Sequence, residues 1–151
     1  MAKLCPYTGG NVVYLTCQEC ENKVCEQDLF ACLIAGSRTF NDYPLLKQKM
    51  DFLLKNQKEV LIISGGAKGA DSLAERYAKE SPKCSHLIIM PAEWDVYGKA
   101  AGYIRNEKMH KALTCFENRG CVLFWDGESK GTRQNIPLAK KYNTAIKIIK
   151  Y

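Results

Sequence analysis

From residue 29 onward, five short and nearly continuous apolar runs recur: LFACLIAG (29–36), EVLIISG (59–65), SHLIIMP (85–91), CVLFWD (121–126) and TAIKIIKY (144–151). A strand with one wet face alternates apolar and polar residues, whereas a strand buried on both faces reads as an unbroken apolar run. These five runs therefore predict strands of a sheet covered on both sides. Between them, apolar residues fall at helical spacings: Leu45, Leu46, Met50, Phe52, Leu53 and Leu54 within 43–57, and Leu73, Ala74, Tyr77 and Ala78 within 70–80. Ala101, Ile104, Met109, Leu113 and Phe116 mark a longer helix within 98–117. A last helix is expected over about 131–142, and Pro137 inside it predicts a kink or a late start. The alternation predicts an α/β fold, a three-layer sandwich around a five-stranded, mainly parallel sheet. The expected organisation is a cysteine-rich segment over 1–28 followed by one domain over 29–151.

Four of the runs break into loops of small or charged residues: LIAGSR (33–38), IISGGAKGAD (62–71), IIMPAEWD (88–95) and VLFWDGESKGT (122–132). In an open parallel sheet such loops lie at the carboxyl ends of the strands, where ligands bind, so a site is expected over strands one, two and four. Gly36 and Ser37 allow close backbone approach, and Arg38 can pair with a phosphate or carboxylate, or serve as a surface ion-pair partner. In the second loop, Ser64, Gly65, Gly66 and Gly69 stand between a strand and a helix, the arrangement that turns backbone N–H groups toward an anion. Lys68 adds a point charge there or is a solvated lysine. The loop lacks the Gly-Lys-Ser/Thr ending of a P-loop, which argues against an ATPase. Asp71, in the first helical turn, opposes an anion and is expected to cap the helix or accept ribose hydroxyls. Trp94 and Tyr97 can stack on a base or close the core against the third helix, and Trp125 has the same two options.

Charge and cysteine usage refine the picture. The formal net charge of +6 resides in residues 130–151, where Lys130, Arg133, Lys140, Lys141, Lys147 and Lys150 meet no acid; the remaining residues balance to zero. Such a tail suits phosphate-bearing partners, a solvated helix face, or lysines guarding a sheet edge. No apolar run approaches the roughly 20 residues of a membrane span, so no membrane partner is expected and the location is read as cytoplasmic. A homo-oligomer is compatible with this sequence. Of eight cysteines, Cys32, Cys84, Cys115 and Cys121 lie beside apolar segments as small hydrophobes. Cys5, Cys17, Cys20 and Cys25 cluster apart, and the two-residue spacing of Cys17 and Cys20 lets both thiolates reach one Zn²⁺ at ~2.3 Å. The leader is therefore expected to be a small zinc-ribbon-like appendage around a structural Zn²⁺. The two histidines, His86 and His110, are paired with no nucleophile by any sequence pattern.

Four ordered segments, GSRTF (36–40), SGGAKGAD (64–71), PAEWDVYGKAAGYIRNEKM (91–109) and WDGESKGTRQNI (125–136), resemble the SLOG superfamily, within it the YspA-like, cpYpsA-related branch. The resemblance covers about residues 31–150 and implies a Rossmann-like nucleotide-binding domain. Two relatives share that frame, the LOG phosphoribohydrolases and the DNA-processing protein DprA/Smf. Arg105, Asn106 and Met109 resemble the Arg-Lys-x-x-Met element of LOG enzymes, which implies that Arg105 helps hold a ligand. Gly131 and Thr132 fall in the loop that reads Pro-Gly-Gly-x-Gly-Thr-x-Glu-Glu in LOG enzymes; Thr132 can bond a phosphate or cap a helix. The acidic pair of that loop is replaced here by Gln134 and Asn135, and amides exchange no proton near neutral pH. Asp126 and Glu128 substitute only if the loop turns them inward. The implied function is binding of a nucleotide-derived ligand of the ADP-ribose or NAD class without turnover. A LOG-like N-glycosidase is the alternative, and DprA-like nucleic-acid binding a third.

The leader is expected to carry one Zn²⁺ per chain in protein purified with zinc available. Structural zinc supplies about 10–16 kcal/mol of apparent binding energy in small peptides, so chelation should unfold residues 1–28. Elemental analysis checks the stoichiometry, and substoichiometric metal rules the cage out.

Overall fold

The computed structural model describes residues 3–4, 11–12 and 29–151. Two two-residue strands, β1 (Lys3–Leu4) and β2 (Asn11–Val12), precede β3 (Phe30–Gly36), α1 (Tyr43–Leu53), β4 (Val60–Ser64), α2 (Ala70–Glu80) and β5 (Cys84–Ile89). A short α3 (Trp94–Tyr97) and a 3₁₀ turn (Gly98–Ala100) lead into α4 (Ala101–Leu113). The chain then forms β6 (Arg119–Trp125), α5 (Lys130–Arg133), α6 (Asn135–Lys141) and β7 (Ala145–Lys150).

The sheet order is β1-β2-β5-β4-β3-β6-β7. The five strands from β3 onward pair in parallel, as expected. What differs is at the edge. The described residues of the leader join the same sheet, β2 pairing antiparallel with β5 and β1 with β2, so they occupy backbone groups that β5 would otherwise expose. Cys5, Cys17, Cys20 and Cys25 lie outside the described residues.

Both faces of the central strands are buried, and the residue parity of β3 divides them; β7, expected to be covered on both sides, instead alternates exposed and partly buried residues over 145–148 at the sheet edge. Ala31, Leu33 and Ala35 point into a core with Met109, Ala112, Leu113 and Phe116. Cys32 and Ile34 point into the other, with Leu46 and Met50 of α1 and Ala74, Tyr77 and Ala78 of α2. Unbroken apolar strands are the consequence. Burial in these cores pushes the thiol of Cys32 up to about 12 and that of Cys121 well above its ordinary value, so both are inert. Cys84 is half-buried and Cys115 exposed, unlike the buried hydrophobe expected there.

Pro137 acts as a late start rather than a kink. The last helical region divides at Gln134, and Pro137 sits in the first turn of α6, where its missing N–H has no intrahelical partner to lose.

The order of the parallel strands reverses between β3 and β6, and there Gly36 lets the backbones approach closely. A Cβ on Gly36 would overlap the Phe124 carbonyl and the Ala70 side chain. Gly36→Ala is expected to cost about 1–3 kcal/mol, the range for overpacking, measured by urea unfolding. A neutral result would mean that β3 and β6 can separate there without loss.

Candidate functional site

A cavity of about 430 Å³ opens at the reversal, over the carboxyl ends of β3 and β6. Its size falls within the roughly 300–1,000 Å³ of small-molecule sites. Gly36, Ser37, Arg38, Asp71, Trp94, Arg105, Asn106, Gly131 and Thr132 line it together, drawn from five separate stretches of sequence. Ser64, Gly65, Gly66, Lys68 and Gly69 do not; of the glycine-rich loop, Ala67 alone reaches the lining, followed by Asp71 in α2.

The loop's glycines have other work. A Cβ on Gly65 would fall 2.5 Å from Arg105 Nη1 and 2.7 Å from Asp71 Oδ2, so the vacant side-chain space is filled by that cation and that carboxylate. Gly69 takes φ +76°, and a Cβ there would strike the Ser37 and Arg38 backbone. Three N–H groups of the loop and the helix start are committed. That of Gly66 donates to Ser64 Oγ, that of Ala67 to Asp71 Oδ2 at 3.1 Å, and that of Ala70 to the Ser37 carbonyl. Ser64 in turn donates to Glu75 at 2.8 Å. The loop thus seats Arg105 and Asp71 and faces the cavity through Ala67 alone.

Arg105 donates to the Gly65 carbonyl and, through Nε, to Asn106 Oδ1 at 2.8 Å. Arg38 is exposed and has no ion-pair partner among the described residues; its guanidinium lies 5.6 Å over the Trp94 ring. The lining holds three cations, Arg38, Lys99 and Arg105, and two carboxylates, Asp71 and Asp126. Asp126 is exposed and is engaged through one oxygen, Oδ1. It accepts the N–H groups of Glu128 and Ser129, which hold its carboxyl below the usual range. Asp71 is buried, and desolvation pushes it up to about 6, against the attraction of Arg105, the Ala67 N–H and Arg38 and with the repulsion of Glu75.

The amide pair is also structural. Gln134 accepts from Asn106 Nδ2 at 3.0 Å and donates to the Tyr103 carbonyl at 3.1 Å, tying α4 to the α5–α6 junction. Asn135 donates to the Gly131 and Thr132 carbonyls, so its Oδ1 accepts from His110 Nε2 at 2.8 Å. His110 therefore carries its proton on Nε2. Its Nδ1 is buried with no partner among the described residues, and burial lowers the imidazole's pKa, favouring the neutral ring. His86 lies at the amino end of β5, 2.8 Å from Ser85 Oγ and at the opposite end of the sheet from the cavity.

Ser129, not Thr132, caps α5; its Oγ accepts the Thr132 N–H, and Thr132 Oγ1 lies 3.2 Å away. Trp125 is packed, with Nε1 donating to the Ser129 carbonyl. Trp94 is 48% exposed and does not close the core. Sequence reasoning missed Lys99, Tyr103 and Ser129. The available signals were a Ser-x-x-Thr cap after Asp126-Gly127, and aromatics set among glycines and charges where no core period runs.

The family model described as the YspA, cpYpsA-related SLOG family matches residues 31–97, from β3 through α3. The Gene 61 protein of Mycobacterium phage D29 is 32% identical over 113 residues, 72% of this chain and 87% of the phage protein. Among solved structures, DNA processing protein A from Helicobacter pylori, described for its single-stranded DNA binding mode, matches with a TM-score of 0.56 at 19% identity. That match covers 83% of this chain and 67% of the other, and it carries the fold.

Asp71 makes stability depend on pH with a definite sign. Its carboxyl titrates at about 6 when folded against 3.8 ordinarily, so folding favours the protonated form. That contribution is complete below about pH 4 and lost as pH rises through about 6. Asp71→Asn, neutral at every pH, is expected to exceed the parent by on the order of 2–3 kcal/mol above pH 7, the gap closing toward pH 4. Urea unfolding across pH 4–8 measures it, and a gap independent of pH would contradict a buried ionised Asp71.

Proposed function

The chain belongs to the YspA, cpYpsA-related SLOG family, and from that premise we propose that its cavity binds a phosphate-bearing, nucleotide-derived ligand and returns it intact. The favoured class is ADP-ribose or an NAD-derived molecule. One observation carries this reading: Arg38 and Arg105 converge on one cavity at the strand-order reversal, and Arg38 is exposed with no ion-pair partner among the described residues. Guanidinium groups suit phosphate because their planar fork of donors matches its oxygens. Binding without turnover is supported by the committed amides. Gln134 and Asn135 hold helices together and offer no proton to exchange, which leaves Asp71 as the one buried carboxylate of the lining.

Nucleic acid is the second reading. It is supported by the fold shared with DNA processing protein A, whose structure concerns single-stranded DNA binding, and by the acid-free tail of residues 130–151. The two separate by salt: a strand held by several phosphates loses affinity steeply between 50 and 200 mM salt, roughly 10³-fold or more for six contacts, whereas a single nucleotide loses far less.

Arg38→Ala is expected to weaken ADP-ribose binding by about 1.5–3 kcal/mol with little change in stability, since Arg38 is exposed. Arg105→Ala should weaken binding and also destabilise, because Arg105 bonds the Gly65 carbonyl. Calorimetry and chromatography of the recovered ligand test both parts. Unchanged affinity in both variants places the ligand elsewhere, and release of base or ribose phosphate that Asp71→Asn abolishes overturns binding without turnover in favour of N-glycoside cleavage.

A further inference from the structure

Folding ordinarily buries large aromatic side chains, and here a whole segment departs from that. Neither α3 nor the 3₁₀ turn after it buries any residue. Trp94, Tyr97 and Tyr103 are 48%, 41% and 47% exposed, and Val96 is 67% exposed. Trp94 and Tyr103 nonetheless line the cavity. Trp94 is held in place: a Cβ on Gly102 would rest 3.4 Å from its Cη2, and the Arg38 guanidinium covers it at 5.6 Å. A wall of half-exposed aromatics thus adjoins the cations, and Arg38 belongs to both.

We propose that Trp94, in the cavity it lines together with Tyr103, is a base-stacking subsite, so that the ligand is a nucleotide whose base lies on Trp94 while its phosphate meets Arg38 and Arg105. The proposal rests on the anion-binding reading of the cavity and adds the recognition of a base. The chemistry follows from the geometry. A base has a π-face whatever its identity, and stacking on an aromatic side chain is worth about 1–3 kcal/mol per base. A sugar phosphate without a base would use only the cationic half. The shared chemistry, a base one ribose away from a phosphate, is offered by a free nucleotide and by a single strand alike.

The test compares ADP-ribose, the four nucleoside monophosphates, a twelve-residue oligothymidylate and inorganic pyrophosphate on the full chain and on Trp94→Ala, Trp94→Phe and Arg38→Ala. Trp94→Ala is expected to weaken base-bearing ligands about 5- to 150-fold and leave pyrophosphate unchanged, and Trp94→Phe should restore most of the affinity. Bound base should quench tryptophan fluorescence, and the quench should vanish in Trp94→Phe because the other tryptophan, Trp125, is buried. Dependence on Trp94 for mononucleotides supports the subsite with a free nucleotide as occupant, and dependence for the oligonucleotide alone supports it with a strand. Base-bearing ligands bound equally well by Trp94→Ala, but weakened by Arg38→Ala, overturn the subsite and leave the anion site standing. Binding of pyrophosphate alone also overturns it, and binding of none of these probes overturns the anion site as well.

Discussion

Ser37 is the point on which the rest of the site depends. Its N–H donates to the Phe124 carbonyl of β6, its carbonyl accepts from Phe40 and from Ala70 at the start of α2, and its hydroxyl accepts the Asp126 N–H. One residue at 2% exposure therefore pins β3, β6 and α2 at the reversal of strand order. Gly36 before it and Gly69 opposite it lack side chains because these backbones touch. With those contacts made, Arg38 is carried out of the β3 end toward the cavity, and Asp71 is carried in on the first turn of α2.

A second layer of contacts sets the charge that the cavity presents. Arg105 spans from α4 to the β4 loop and shares the space above Gly65 with Asp71. A buried carboxylate and a half-buried guanidinium facing each other offset part of their desolvation, which is how two charged groups persist at the end of an apolar sheet. The same wall is braced by Asn106, Gln134, Asn135 and His110, whose mutual hydrogen bonds join α4 to α5 and α6. Polar groups that would be costly if unpaired thus become the brace of the pocket. The exposed Arg38 and Lys99 remain available to an incoming anion.

The pattern of apolar positions by itself determined the five strands, the flanking helices and the burial of both faces of the central strands, though not the exposed face of β7, because strand and helix periods are local and each run declares how many faces it hides. Pro137 likewise announced the broken last helix. The sequence also placed Arg38, Gly131 and Thr132 in loops at the strand ends, Asp71 in the first turn of a helix and Arg105 within a helix. Only the tertiary structure decided their roles. Gly65 reads as a phosphate-cradling residue until Arg105, 40 positions away, is seen to occupy its side-chain space. Gln134 and Asn135 read only as amides in place of an acidic pair until Asn106 and His110 are seen to take up their hydrogen bonds. Trp94 has the composition of a core residue and lies open beside the cavity. Periodicity reports how much surface a residue hides, but the partner that satisfies a buried polar group is chosen by long-range packing, and no local pattern encodes it.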